Sequence, residues 1–185
     1  MTIRLLIAAL CVAVPSLSFA NSLSIGIEHN TITSGAVQYK GTSYSAGAKV
    51  DIGKGFRADL AFNSGKVGGT SKYDFNGTGY GVSYVKSISD ATDVIIGLGR
   101  LHSSVTVAAT KISLKGTYYK VGLNHRINDT YTFDIGTSHA IIAGTKSNTM
   151  SAGIGYQVNP TLKVRGGYES SKNTKAYSAT VTTDF

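Results

Sequence analysis

Apolar and polar side chains alternate along most of this chain with a period of two, the spacing of a strand whose two faces meet different surroundings. At the C-terminal end Tyr177, Ala179, Val181, Thr183 and Phe185 share one face, and Ser178, Thr180, Thr182 and Asp184 share the other. Followed from residue 22, the pattern predicts ten strands, at 22–32, 41–52, 56–65, 76–87, 92–102, 114–126, 131–141, 149–158, 161–169 and 175–185. Tight turns are expected at Gly53-Lys54-Gly55, 87–91, Asn128-Asp129-Thr130 and Asn159-Pro160. The alternate links, at 33–40, 66–75, 103–113, 142–148 and 170–174, are mostly longer and richer in Ser, Thr and Lys.

Parity divides each strand into two surfaces. One carries the large apolar residues, among them Ile25, Leu60, Val82, Leu98, Val121, Ile135, Ile154 and Val164. Its aromatics gather at the ends: Tyr44, Phe62, Tyr80, Tyr119, Tyr168 and Tyr177 toward the longer links, and Phe56, Tyr84, Tyr131, Phe133, Tyr156 and Phe185 toward the turns. Amphipathic rings collect at the two headgroup zones of a bilayer, so the arrangement predicts a double girdle around an apolar band. The opposite face holds most of the strand glycines, including Gly79, Gly81, Gly97, Gly99, Gly153 and Gly167. Glycine weakens a strand, and its bias to one side implies curvature or interior space.

Residues 1–20 stand apart. Arg4 supplies a positive start, Leu5 to Val14 an apolar run, and Ser18-Phe19-Ala20 a small-x-small cleavage site, the layout of an export signal. The expected organisation is a signal peptide over 1–20 and one domain over 21–185. Cys11, the single cysteine, falls in the signal, so no disulfide is expected in the domain. Apolar runs such as Val94-Ile95-Ile96 are far shorter than the roughly 20 residues of a membrane helix. A membrane-spanning form of this chain must therefore be a closed sheet, in which every backbone group finds a partner. The mean hydropathy of +0.03 agrees with strands that are wet on one side.

The signal, the hairpin series and the terminal Tyr177-x-Ala179-x-Val181-x-x-x-Phe185 resemble the small bacterial outer-membrane barrels of the opacity-protein, OmpA and OmpX/Ail-like superfamily. The resemblance covers the whole of 21–185. It implies an all-β fold, a single antiparallel up-and-down transmembrane barrel with ten strands favoured and eight as the alternative, located in the outer membrane. It also implies that Tyr177, Val181 and Phe185 form the signal read by the barrel assembly machinery. A monomer without cofactors is expected.

Charge sorts by location. Without Arg4 the chain has 17 basic and 10 acidic residues. Lys40, Lys66, Lys72, Lys111, Lys115, Lys146, Lys172 and Lys175 fall in the outer links or adjoining strand ends, against Asp74 alone. This extracellular basic surface is expected to contact lipopolysaccharide phosphates or other polyanions, such as heparin-like glycans, DNA or acidic host proteins. Lumen positions nearly balance, with Lys49, Arg57, Lys120, Arg126, Lys163 and Arg165 against Glu28, Asp51, Asp59, Asp93, Asp134, Glu169 and Asp184. A turn at 53–55 sets Asp51 opposite Arg57 and Lys49 opposite Asp59, either as a salt-bridge network or as an ion-conducting constriction. The function expected is thus a surface, adhesin-like or structural porin-family protein, with a narrow diffusion channel as the alternative. His102-x-Ser104 keeps a rim-located lipid hydrolase as a remote third reading. No carboxylate is expected beside His102 to orient it, so no catalytic residue is assigned.

Overall fold

The computed structural model describes residues 22–68, 73–107 and 110–185. The export signal and Lys72 lie outside the described residues. Ten strands follow one another: β1 (Ser22–Ser34), β2 (Val37–Gly53), β3 (Phe56–Gly68), β4 (Tyr73–Ser89), β5 (Thr92–Val107), β6 (Thr110–Arg126), β7 (Tyr131–Ile142), β8 (Thr145–Asn159), β9 (Leu162–Ser171) and β10 (Thr174–Asp184). Each pairs antiparallel with its sequence neighbours, and β1 pairs with β10 to close the barrel, Ile25 opposite Val181. Closure removes both sheet edges, which would otherwise leave rows of unpaired backbone groups.

Ten strands, an antiparallel sheet and an up-and-down order are as the alternation predicts. The links are not. The segments expected as outer loops are mostly strand: β2 begins at Val37, β4 at Tyr73 and β6 at Thr110. Residues 35–36, 143–144 and 172–173 are all that separate β1 from β2, β7 from β8 and β9 from β10. The surplus length went into the wall, because β-branched and aromatic side chains in these segments had a surface to pack against.

The apolar parity faces outward. Leu98 is 63% exposed and Met150 70%, and among the described residues no large side chain is fully buried inside. An apolar surface of this extent is stable only against lipid, which makes the chain a membrane barrel. Rings pair across strands within each girdle: Tyr168 with Tyr177 at 5.0 Å in the upper one, Phe56 with Tyr84 at 5.0 Å and Tyr131 with Tyr156 at 5.5 Å in the lower.

Turn chemistry pins the register at the end that carries Ser22 and Asp184. Asp51 accepts a bond from the Gly53 amide at 2.8 Å, Asn128 from Tyr131 at 2.8 Å and Asn159 from Leu162 at 2.9 Å. These are turns closed by an Asx side chain. At the opposite end the β7–β8 turn places Ala143 at φ +48° beside Gly144 at +81°. Both central residues of such a turn need positive φ, which Ala disfavours and Asn or Gly accepts. Ala143→Asn is therefore expected to stabilise the barrel by about 0.5–1 kcal/mol, read as a raised urea midpoint for unfolding from lipid; an unchanged midpoint would refute the strain.

Candidate functional site

The lumen is built by the glycine parity. Its charged side chains do not all stand out into the space; several lie flat along glycine tracks. Arg165 on β9 crosses β8 at Gly153 and reaches Asp134 on β7, where its Nε lies 2.8 Å from the carboxylate. A Cβ on Gly153 would collide with the guanidinium. Lys120 on β6 passes Gly97, whose added Cβ would lie 2.5 Å from its Cε, and continues to Asp59 on β3 at 2.8 Å. Tyr118 lies across Gly81 and Gly99 in the same way, its ring 2.6 Å from where a Cβ on Gly99 would be. The glycine bias thus supplies beds for long side chains that tie non-adjacent strands together.

Lys49 does lie opposite Asp59 and Asp51 opposite Arg57 in the β2–β3 register. The ion pair, however, is not the adjacent one: Asp59 takes Lys120 from three strands away. Lys49 stands in the open lumen, and Asp51 sits at the lower mouth, where it holds the Gly53 amide. Arg126 is also a mouth residue, donating to the Asp90 carbonyl at 2.6 Å rather than entering the lumen. Lys163 lies over Gly155. Around the two ion pairs the lumen holds a cavity of about 310 Å³, lined by Lys49, Arg57, Asp59, Lys120, Asp134 and Glu169.

The predicted basic crown is a belt on the wall. Lys40, Lys66, Lys111, Lys115, Lys146 and Lys175 are strand residues with outward parity, and Lys172 alone of the described set occupies a turn. They stand above the upper aromatic girdle, joined by Arg100 between Tyr80 and Thr117. Among the described residues only Asp74 answers them, 3.6 Å from Lys66 with both groups well exposed, a pair worth little in water.

Above the girdle the two faces exchange character. On the outside Lys66, Asp74, Thr106 and Lys111 face one another across β3 to β6, while one residue on, Val67, Tyr73, Phe75, Val105 and Ile112 point inward. The strand is still alternating, but with polar outside and apolar inside, the pattern of a water-exposed barrel rather than a lipid-exposed one. The alternation within Tyr73-Asp74-Phe75-Asn76 and Lys111-Ile112-Ser113-Leu114 carried this signal, and Ser, Thr and Lys content masked it. Tyr39 and Tyr73 meet edge to face at 5.6 Å inside this rim.

His102 and Ser104 share the outer face of the rim. As expected, no carboxylate lies beside His102, which is flanked by Thr78 and Lys115; the acid on that face, Asp74, sits four residues further up β4, opposite Thr106. It pairs with Lys66, and Ser104 is only 8% exposed, so the three do not assemble a nucleophile. Phe185, Val181 and Tyr177 all point to the lipid side.

No protein-family model and no curated protein matches the sequence. Solved structures do resemble the fold. The transport unit of the autotransporter AIDA-I from Escherichia coli aligns over 96% of each chain, with a TM-score of 0.53 and 10% identity. The fold is that of a small outer-membrane β-barrel. Neisserial surface protein A aligns over 89% of this chain and 96% of its own, with a TM-score of 0.50 and 16% identity. The NanC porin covers 88% of this chain and 100% of its own, at 0.51 and 10%. Surface protein, porin and autotransporter barrel lie equally near, so the likeness carries the architecture alone.

Proposed function

We propose that the protein is an integral outer-membrane surface barrel whose basic belt binds lipopolysaccharide phosphates and related polyanions, with the termini on the periplasmic side. The belt carries this reading: Arg100 projects outward at the aromatic girdle, opposite Tyr80, and six strand lysines project outward above it, a column of cations that begins where the phosphates of an outer leaflet lie. Multiple cations at that height attract polyanions by a screened, salt-sensitive force. The two ion pairs, which line the inner wall between β3 and β6 and between β7 and β9, narrow the lumen and weigh against a wide diffusion channel, and a barrel that binds along its outer wall needs no open pore. Tyr177, Val181 and Phe185 serve assembly in this reading.

The test replaces Lys66, Lys111, Lys115 and Lys146 with Gln. Each change should alter stability by no more than about 0.5 kcal/mol, because each side chain is exposed. Lipopolysaccharide and heparin should bind the wild type with an affinity that falls as salt rises. The variant should bind more weakly and with a shallower salt dependence, since fewer counterions are released. Binding that ignores salt and survives all four substitutions refutes the belt.

A further inference from the structure

The inward-facing side of the rim encloses a second cavity, of about 710 Å³, in the outer half of the lumen. Its wall is apolar and aromatic, including Ile32, Tyr39, Val67, Phe75, Leu101 and Val105. That volume falls within the roughly 300–1,000 Å³ of small-molecule sites, which are concave and mostly apolar with a few placed polar groups. Nothing in the belt reading uses this space. A barrel serving only as a structural wall would gain nothing from lining its water-facing interior with large apolar residues, because each one exposed there forgoes the stabilisation of burial.

The cup is shaped, not merely greasy. Phe75 lies across Gly65, where an added Cβ would come 2.7 Å from the ring tip, so the glycine lets the aromatic lie against the wall and leaves the centre open. The polar groups gather toward the floor. Asn30 donates to Ser43 at 3.0 Å in a buried pair, and Glu28 lies beside them on the same inward face. Among the described residues, no lysine or arginine comes within ion-pair distance of Glu28: Arg165 is committed to Asp134 and Lys120 to Asp59, and Lys49 on the neighbouring β2 lies opposite Ser22, six residues lower. Glu169, facing the same region from β9, adds a second negative group.

We propose that this cup binds a small amphiphile with an apolar, preferably aromatic, body and a protonated amine, taken up from the outer side. The body would fill the space between Phe75, Leu101 and Val105. The ammonium would reach Glu28 and supply the cation that the carboxylate lacks, a charge-assisted contact in a site partly screened from water. An uncharged analogue would keep only the burial, and an anion would meet Glu28 and Glu169 as like charges.

Three probes of one shape decide this: 4-phenylbutylamine, 4-phenylbutanol and 4-phenylbutyrate, titrated by calorimetry into the barrel in lipid nanodiscs, with empty nanodiscs as the reference. The amine should bind saturably and about tenfold more tightly than the alcohol, with the carboxylate weakest. Glu28→Gln should bring the amine down to the alcohol and leave the alcohol unchanged. Leu101→Arg should abolish saturable binding of both, and Val105→Lys, nearer the mouth, provides the same test if the first variant fails to fold. Three outcomes would overturn the proposal: no saturation beyond the empty nanodisc, equal affinities for amine and carboxylate, or binding that survives the cup variants. None depends on the lysine belt, so failure here and failure of polyanion binding are separate results.

Discussion

Substituting Ala for both Lys120 and Arg165 is expected to raise the conductance of the barrel in a planar bilayer several-fold and to turn its selectivity toward cations. These side chains lie along the inner wall, bridging β6 to β3 and β9 to β7, and are held by Asp59 and Asp134 at 2.8 Å. Removing them clears the space along Gly97 and Gly153 and leaves Asp59, Asp134, Glu28 and Glu169 to outnumber the remaining Lys49, Arg57 and Lys163. A ring of carboxylates favours cations. The variant should also lose stability, since each carboxylate forfeits its partner. Loss of a buried partner costs about 3–5 kcal/mol. Here the four side chains keep 12–32% exposure, so solvent screening lowers the figure to about 1–2 kcal/mol per pair. Reversing one pair, as Asp59→Lys with Lys120→Asp, should restore both closure and stability. A wild-type conductance already equal to that of the double Ala variant would show that the ion pairs do not close the lumen.

The parts of this structure that are legible in the sequence are those set by one strand at a time. Parity decides which face of β4 meets lipid, and Val82, Tyr80 and Tyr84 declare it without reference to any neighbour. Turn residues declare the hairpins in the same way: Asn128 and Asn159 act within three residues of themselves. The Lys49–Asp59 register follows from one hairpin and is present. What the sequence hides is contact between strands that are not sequence neighbours. Lys120 has a carboxylate available only because β6 faces β3 across a closed ring, and nothing local to either strand specifies that. The glycines under Lys120 and Arg165 look alike in sequence whether they bend the wall or bed a side chain.

The outer links show a different limit. Residues 66–75 and 103–113 contain the hydroxyls, lysines and glycines expected of loops, yet stretches within them, Tyr73-Asp74-Phe75 and Val105-Thr106-Val107, alternate as the membrane segments do. A polar outer face is a loop signal only if every strand must end at the membrane surface. These strands do not: β6 is 17 residues long, where about 9–11 span a bilayer, leaving an extension of about 20 Å at ~3.3 Å per residue. Once the wall rises into water, its outside must be polar, and apolar side chains of the same strands are left to the interior. The basic belt, whose lysines the sequence places on the outer side but in loops, and the apolar cup, which it does not announce, are therefore two consequences of one inversion.

The position of that inversion sets the largest contrast among single substitutions. Val121 and Ser113 are outward-facing residues of one strand, eight positions apart, and both are exposed. Val121 lies between the aromatic girdles, beside Ile96 and Thr137, so Val121→Lys places an ammonium against hydrocarbon. A lysine near the bilayer midplane costs about 2–4 kcal/mol, falling toward zero at the interface. Ser113→Lys adds the same group in water, where Lys111 and Lys115 on the same face repel it only weakly; its cost should stay within about 0.5 kcal/mol. Reversible unfolding from phospholipid vesicles measures both. If the wall above Tyr119 were instead immersed in lipid, the two substitutions would cost alike, and the belt and cup would lose their water-exposed setting together.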